Sequence, residues 1–259
     1  MIKGFFLQIK FLTRIPFFNI EFDEDKFARG IIFAPVVGLI IGGFLVLAYL
    51  GVSIFENRII TAITLVFFEV VLTGGLHLDG LADTCDGVFS GRSTEMMLEI
   101  MKDSRIGTNG TLAIILCLSF KTALLSSIEG SSMIACLLVM PVLSRYNIIV
   151  SSAISKYARE IKGMGEAIVK KTGLREMIIG ILITLIICIP ASRSAVIPLI
   201  ITSLAFAFIF TGYVKSKLGG ITGDIMGAVI EISEVAVLAA AFIIYSPVTG
   251  NIVSKFINI

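Results

Sequence analysis

The sequence has 259 residues, of which 56% are hydrophobic and 15% are charged, with a net charge of +2 and a mean hydropathy of +1.00. A soluble domain of this length would be about half apolar and about a quarter charged, so the excess of apolar residues indicates a lipid-facing surface. The small net charge and the lack of a basic stripe with interleaved aromatic residues exclude nucleic acid as a partner, and a single histidine excludes a multi-histidine metal site within one chain.

The first 30 residues predict a cytoplasmic segment at the membrane surface. Lys3, Lys10 and Arg14 are spaced among large apolar residues, and Pro16 ends this pattern. The segment has neither the long apolar core nor the small-residue cleavage site of a signal peptide. We therefore expect an amphipathic helix that lies in the interface of a lipid bilayer.

Seven apolar stretches are long enough to cross a bilayer, which requires about 20 residues. They are residues 31–51, 59–76, 110–128, 133–152, 177–191, 195–213 and 225–245. The fifth is short, and Pro190 and Pro198 are expected to bracket a tight connection to the sixth. Since there is no shift in composition and no internal repeat, residues 1–259 are predicted to form one all-α domain, a polytopic membrane bundle of about seven transmembrane helices.

The basic residues predict the orientation of this bundle. Most of the 21 Lys and Arg residues fall on the side of the amino terminus, including those in the loops after the second, fourth and sixth spans. Only Arg58, Arg193 and Lys255 fall on the other side. Because cytoplasmic loops carry an excess of Lys and Arg, we expect the amino terminus and both long polar loops to be cytoplasmic.

A polar, acidic stretch from Gly74 to Gly110 interrupts the apolar spans. Asp79, Asp83 and Asp86 stand at i, i+4 and i+7, so a helix would place the three carboxylates on one narrow face. Like charges at this spacing destabilise a bare helix, and carboxylates without thiolate neighbours favour Mg²⁺. The alternative is an ordinary solvated face. The position at the foot of a span, followed by Lys, Asp, Arg and Gly residues, favours the metal site.

Five ionisable residues fall inside the apolar spans: Glu69, Lys121, Arg145, Glu231 and Glu234. Such residues are costly in a bilayer and indicate function, although mutual pairing of the two bases with the three acids is the structural alternative. Arg145 is expected to floor a polar cavity within reach of an anionic ligand, because it lies about two turns from the cytoplasmic end of its helix. Lys121 is expected to be a counter-ion.

The last cytoplasmic loop enters the seventh span through glycines. Gly220 and Gly223 give backbone freedom where a helix begins, and the free N–H groups of a helix start form a seat for phosphate. Asp224, Gly227 and Glu231 share one face of that helix, which predicts a second acidic stripe with a gap where a ligand could approach the backbone. The alternatives are a helix cap at Asp224 and helix packing at Gly227.

Two further features keep two interpretations each. On a continuous helix His77 would point about 160° away from Asp79, so only a break at Gly74 and Gly75, or a helix that begins near His77, would bring it to the carboxylates. Otherwise it is an interface histidine. The basic loop at residues 153–175 either reflects topology and anionic headgroups or grips substrate phosphates.

Carboxylates on a helix face, nearby Lys and Arg, and glycine-rich helix starts together indicate a site for phosphates bridged by metal. Phosphoryl transfer requires mainly positioning and neutralisation of charge, and metal ions held by shared carboxylates can stabilise the attacking and leaving oxygens. The residues by themselves therefore predict a membrane transferase that acts on a diphosphate or nucleotide-activated substrate, one that is large, amphipathic or lipid-like.

Two long motifs resemble the cobalamin synthase family, the adenosylcobinamide-GDP ribazoletransferases. They are GLHLDGLADT at residues 75–84, followed by Asp86-Gly87, and EIMKDSRIGT at residues 99–108. Shorter matches are FLTRIP at residues 11–16, Ser144-Arg145, and the glycine- and acid-containing segment 219–231. The resemblance thus extends over nearly the whole chain in the same order.

This resemblance implies Mg²⁺-dependent joining of adenosylcobinamide-GDP to α-ribazole or its 5′-phosphate. The ribose hydroxyl of the ribazole would attack the phosphate attached to the cobinamide, and the products would be adenosylcobalamin or its 5′-phosphate and GMP. It also implies the plasma membrane of a prokaryote, with the active site facing the cytoplasm. Polar residues within the spans could equally serve contacts between subunits, so a homo-oligomer stays open.

On this basis we assign roles to residues as hypotheses. Asp79, Asp83 and Asp86 would hold Mg²⁺ against the diphosphate. The residues expected to take part in catalysis are Asp103, as a further ligand or the base for the hydroxyl, and Lys102, Arg105 and Arg145, which neutralise phosphate charge. The residues expected to bind substrate are His77, Gly107, Gly220, Gly223, Asp224, Gly227 and Glu231.

Two alternative functions remain at this point. Asp83 with Asp86 and Gly87 resembles the start of the motif of CDP-alcohol phosphotransferases, but the Ala-Arg pair expected next is absent. A corrinoid or other small-molecule transporter would also carry charges inside its spans. It would usually show inverted repeats and broken helices near the midplane, whereas the motifs here lie at one surface.

Overall fold

The computed structural model describes residues 1–16, 20–160, 163–192 and 195–245, and these are almost entirely helical. The helices are α1 (Ile2–Leu12), α2 (Glu24–Arg29), α3 (Ala34–Val52), α4 (Arg58–Thr73), α5 (Leu76–Val88), α6 (Thr94–Ile100), α7 (Thr108–Ser126), α8 (Gly130–Ala153), α9 (Met164–Lys171), α10 (Leu174–Ser192), α11 (Val196–Leu218) and α12 (Gly223–Tyr245). Within the described ranges, the only β-type pairing is an isolated parallel bridge between Tyr157 and Ile221.

The predicted all-α, multi-pass fold is confirmed. Six helical segments of the described chain are long and apolar enough to cross a membrane, and α4 with α5 forms a seventh segment that is bent by 90°. The six contain α3, α7, α8, α10, α11 and α12, so every predicted apolar stretch coincides with a helix. Large apolar side chains such as Phe67, Ile186 and Ile209 are 63%, 73% and 70% exposed, as a lipid-facing surface requires.

The fifth and sixth spans differ in detail from the prediction. Helix α10 has 19 residues and is not short, and Pro190 lies inside it rather than in a connection. Pro198 lies in the first turn of α11, where the missing N–H has no helical partner to lose. Residues 193–194, between these two helices, lie outside the described residues. Arg193 and Lys255, which were counted for the predicted orientation, both lie outside them.

The second predicted span is interrupted by two glycines. Gly74 and Gly75 have φ values of 65° and 69°, a left-handed conformation that favours glycine. The N–H of Gly75 donates to the carbonyl oxygen of Val70, which closes the end of α4. Helix α5 therefore leaves at 90° to α4, and its carboxylates do not lie along the span.

Helix α8 forms the centre of the bundle and packs against α3, α10, α11 and α12. Its closest partner is α3, which presents Gly38 and Gly42 to it. A Cβ atom at Gly42 would lie 2.6 Å from the carbonyl oxygen of Leu137, and one at Gly38 would collide with the backbone at Pro141. The two helix backbones therefore touch, as small residues permit in membrane bundles.

Helix α1 packs through one buried face on α2 and on the turn that follows α2. Leu7, Ile9 and Leu12 are buried, and the Gln8 side-chain amide donates to the carbonyl oxygen of Phe27 at 2.8 Å. The helix ends before Pro16, as predicted. Its position in a bilayer interface stays a prediction.

We predict that Gly42→Ala lowers the free energy of unfolding by about 1–3 kcal/mol, because the new methyl group overpacks the α3–α8 contact. The matched control is Gly43→Ala, since a Cβ atom there meets nothing within 4 Å. Thermal unfolding in detergent compares the two variants. Equal melting temperatures would contradict the proposed backbone contact.

Candidate functional site

A cavity of about 280 Å³ lies at one end of the bundle, where α5, α12 and the loop after α8 meet. Its polar lining comes from both helices and from the loop: His77, Asp79, Tyr157, Arg159 and Asp224. Gly80, Gly223 and Gly227 also line it, and apolar residues such as Phe11 and Ile230 complete the wall. Five of the predicted site residues therefore line one cavity: His77, Asp79, Gly223, Asp224 and Gly227.

Close packing of α5 on α12 builds the cavity. A Cβ atom at Gly80 would lie 2.5 Å from the carbonyl oxygen of Asp224, and one at Gly227 would lie 3.2 Å from the Cα atom of His77. The backbone of α5 therefore occupies part of the gap that was expected at Gly227. Gly227 thus serves helix packing, which was the alternative interpretation. Because the two backbones touch, carboxylates from both helices reach one site.

Three carboxylates gather at this contact. Asp79 and Asp224 line the cavity, and the partly buried Asp83 interacts electrostatically with both. Asp224 of α12 thus joins the two carboxylates from α5, and Asp86 also interacts electrostatically with Asp83. Among the described residues, no three His, Cys, Asp or Glu side chains are close enough to hold a metal ion by themselves. One or two carboxylates with phosphate oxygens and water suffice for Mg²⁺, so Asp79 and Asp224 suit that ion chemically.

Asp86 caps the start of α7, a structural role that the sequence did not predict. Its carboxylate accepts hydrogen bonds from the N–H groups of Gly107 at 2.7 Å and Gly110 at 2.8 Å, at the start of α7. A negative charge at a helix amino terminus is stabilising. A Cβ atom at either glycine would overlap this carboxylate, which explains why both positions are glycine. Asp86 and Gly107 therefore join α5 to α7, and neither lines the cavity.

Arg159 is a cavity residue that sequence reasoning did not single out. Its guanidinium donates to the carboxylate of Asp224 at 2.7 Å and to the carbonyl oxygen of Met101 at 3.2 Å. It thereby connects the loop after α8 with α12 and with the end of α6. Its sequence signal was only its place in the basic loop, for which gripping phosphates was one of two interpretations.

The loop is held against the start of α12 by backbone hydrogen bonds. The N–H of Ile221 donates to the carbonyl oxygen of Lys156 at 2.8 Å, and the N–H of Ala158 donates to the carbonyl oxygen of Ile221 at 2.9 Å. Gly220 is required there, because a Cβ atom would collide with the backbone of Lys156. This places Gly220 beside the loop and leaves Gly223 in the cavity wall. Burial raises the pKa of the Tyr157 phenol, so its hydroxyl stays protonated at neutral pH and can donate to a ligand.

The motif between α6 and α7 lies outside the cavity lining. Arg105 donates to Asp103 at 2.7 Å, and this hydrogen bonding lowers the pKa of the Asp103 carboxyl to about 2. A carboxylate with a low pKa stays ionised at neutral pH, so Asp103 is available as the partner of Arg105. Lys102 is exposed and follows Met101, the residue that Arg159 holds. The motif therefore begins at the rim of the cavity.

The charges inside the spans form one buried cluster, the mutual pairing that was the structural alternative. Lys121 lies 2.8 Å from Glu231 and 3.2 Å from Glu69, and it also pairs with Glu234. Arg145 pairs with Glu234 as well. Lys121 is a counter-ion, as expected. Arg145 is fully buried and is not among the residues that line the cavity.

His77 links this cluster to the cavity. The break at Gly74 and Gly75 starts α5 one residue before His77, which is the condition that the sequence required for it to reach the site. The side chain is buried and lines the cavity. Its Nδ1 atom lies 3.5 Å from a terminal nitrogen of Arg145.

Fold and site together define a polytopic membrane protein with an acidic, glycine-lined cavity at one end of its bundle. The family model described as cobalamin-5-phosphate synthase matches residues 4–242. The chain belongs to this family, and it is an enzyme of cobalamin synthesis. The resemblance inferred from the motifs is thereby confirmed.

Curated relatives cover the chain almost from end to end. A protein of Caldanaerobacter subterraneus is 43% identical over 95% of this chain and 98% of the relative. One of Acetivibrio thermocellus is 42% identical over 90% and 94%, respectively, and one of Clostridium novyi is 39% identical over 92% and 96%. All three are named adenosylcobinamide-GDP ribazoletransferase. No solved structure matches the chain.

We predict that Asp86→Ala lowers the free energy of unfolding by about 1–2 kcal/mol, because the start of α7 loses the acceptor for two N–H groups. The control is Asp103→Ala, which removes an exposed ion pair and is expected to leave the melting temperature unchanged. Thermal unfolding of both variants in detergent tests this. A stable Asp86→Ala protein would show that the carboxylate has another role.

Proposed function

We propose that this protein joins adenosylcobinamide-GDP to α-ribazole, or to its 5′-phosphate, with release of GMP and a requirement for Mg²⁺. The names of its relatives support the substrates. The observation that carries the proposal is that Asp79 of α5, Asp224 of α12 and Arg159 line the same cavity. Acidic groups that can hold a cation and a basic group that can pair with phosphate are what a diphosphate requires.

In the proposed reaction the ribose hydroxyl of the ribazole attacks the phosphorus atom attached to the cobinamide. A new P–O bond forms, the P–O bond to the GMP oxygen breaks, and the hydroxyl proton is released. A cavity of about 280 Å³ is at the small end of the range for ligand sites. We therefore infer that it receives the diphosphate and nearby atoms, while the corrin ring stays outside.

The proposed roles follow from the positions of the side chains. Asp79 and Asp224 hold the cation with the help of Asp83. When bound, Mg²⁺ would supply charge neutralisation at the diphosphate oxygens. Arg159, now paired with Asp224, is placed to pair with a phosphate oxygen instead. Gly223 leaves room for the ligand beside α12, and Gly227 lines the cavity where α5 packs on α12.

Other predicted roles act from outside the cavity in this proposal. Lys102 and Arg105 neutralise charge from the rim, on the segment that follows Met101. Asp86 and Gly107 hold α7 in place, and Glu231 neutralises Lys121 below the cavity.

We further propose that the cavity faces the cytoplasm of a prokaryote and that the protein lies in the plasma membrane. The amino-terminal segment, the α5–α6 region and the loop after α8 lie on one side of the bundle. Contacts between Lys171 and Asp25 and between Arg159 and Met101 support this, because they join these segments. The excess of basic residues on this side favours the cytoplasm.

The main test is release of GMP by the purified wild-type protein given adenosylcobinamide-GDP and α-ribazole. We expect release with Mg²⁺, its loss with EDTA, and recovery when Mg²⁺ is restored. Asp79→Asn and Asp224→Asn, which keep side-chain size but lose the charge, should each lower kcat/KM at least about 100-fold.

The matched control for these variants is Asp25→Asn, because Asp25 is an exposed carboxylate that does not line the cavity. It should retain wild-type kcat/KM. Full activity in EDTA would disprove the metal requirement, and wild-type protein that releases no GMP would disprove the reaction itself.

For the orientation we predict opposite labelling of two single-cysteine positions. Ser104→Cys should react with an impermeant maleimide only from the cytoplasmic side, and Glu56→Cys only from the other side, since both positions are exposed. The native background should be low because all four native cysteines are buried. In sealed inverted vesicles, whose cytoplasmic side faces outward, labelling of Glu56→Cys but not of Ser104→Cys would overturn the proposed orientation.

A further inference from the structure

His77 presents a buried polar atom with no partner. It is the single histidine of the sequence, its residue is 2% exposed, and it lines the cavity. Among the described residues its Nε2 atom has no hydrogen-bond partner. A buried polar group without a partner is costly and calls for an explanation. An oxygen of a ligand in the cavity would be the partner that it lacks.

The neighbour on the other side of the ring determines what Nε2 can offer. A guanidinium group has donors only, and a terminal nitrogen of Arg145 lies 3.5 Å from Nδ1. Although this distance makes a weak hydrogen bond, the positive charge disfavours an N–H group at Nδ1. The neutral ring therefore carries its hydrogen on Nε2, which makes that atom a donor.

Arg145 is itself fixed, so it can impose this tautomer. Its guanidinium pairs with Glu234 and also donates to the hydroxyl of Ser144 at 3.0 Å. Ser144 in turn donates to Glu234 at 3.1 Å, and Lys121 holds Glu234 from the other side. A guanidinium locked in this way cannot turn toward a ligand. It can act on one only through His77.

We propose that His77 donates a hydrogen bond from Nε2–H to a phosphate oxygen of the substrate, and that Arg145 is the positioning residue that sets the tautomer of the ring. The identity of the ligand rests on the function proposed above, whereas the direction of the hydrogen bond rests on the structure. This assigns His77 the part of an uncharged donor, and it gives Arg145 an indirect role in place of direct contact with phosphate.

The single histidine allows a direct test by nitrogen NMR. Protein labelled with ¹⁵N-histidine, and purified without a histidine tag, gives signals from one imidazole. We expect Nε2 to be protonated and Nδ1 unprotonated in the free protein, with the Nε2 signal shifting when adenosylcobinamide-GDP and Mg²⁺ are added. A ring protonated at Nδ1, a charged ring, or an Nε2 signal that saturating ligand leaves unchanged would overturn the proposal.

Arg145→Lys tests the positioning role in the same spectrum. This variant keeps a positive charge beside Glu234 but removes the group that faces Nδ1, so a measurable fraction of the Nδ1–H tautomer should appear. An unchanged tautomer would show that Arg145 does not set it. If Arg145 had only a structural role, its replacement would change the melting temperature without changing the tautomer of the His77 ring.

A pair of His77 variants supplies the kinetic test and stays informative if Arg145→Lys does not fold. His77→Gln keeps an N–H donor near the position of Nε2, and its carbonyl oxygen can accept from Arg145. His77→Met has a similar size without either group. We expect His77→Gln to keep kcat/KM within about 10-fold of wild type and His77→Met to lose about 100-fold or more, at equal melting temperatures.

Equal losses in both variants would overturn the donor role, because a base or a shape requirement would be lost in each. The proposed reaction fails separately, through wild-type protein that releases no GMP. In that case the tautomer of the free protein still reports whether Nε2 is the donor.

Discussion

The contact between the backbones of α5 and α12 is the constraint on which the site depends. Gly80 packs against the carbonyl oxygen of Asp224, and Gly227 packs against His77. The 90° turn at Gly74 and Gly75 makes this contact geometrically available, since it sends α5 away from the direction of α4. Each glycine removes a Cβ atom that would separate the helices. Without this approach, the carboxylates of the two helices would belong to different surfaces.

Below the cavity, charge continues into the membrane-spanning part of the bundle. A bilayer makes unpaired charges costly, and here each base meets at least one acid. Pairing therefore accounts for the presence of Glu69, Lys121 and Glu231 without any contact with substrate. The connection through Arg145 to His77 is different, because it ends at Nε2 of His77, which has no hydrogen-bond partner among the described residues. The buried charge cluster thus contacts the site only through His77, and none of its charged side chains lines the cavity.

The loop after α8 illustrates why topology and chemistry are hard to separate in a membrane protein. Its basic residues contribute to the positive-inside pattern, yet Arg159 among them reaches Asp224 in the cavity. The distinction comes from one short bridge, in which Tyr157 pairs with Ile221 and fixes the loop beside α12. Arg159, which by sequence is one of several basic residues that set the membrane orientation, is in this way placed in the site.

The sequence by itself determined the spans, the all-α fold, the family, and the common helix face of Asp79 and Asp83, because hydrophobic length, helical periodicity and sequence motifs are local properties. It also showed that His77 could reach the carboxylates only if the helix breaks at Gly74 and Gly75 or begins near His77, although it could not decide whether the chain turns there. Only the tertiary structure showed that Asp224 lies beside the carboxylates of α5 and that Asp86 accepts hydrogen bonds from the start of α7. It also brought Arg159 into the cavity and placed Arg145 outside the cavity lining. The physical reason is that these outcomes depend on which helices touch and how closely. Spacing along one helix does not contain that information.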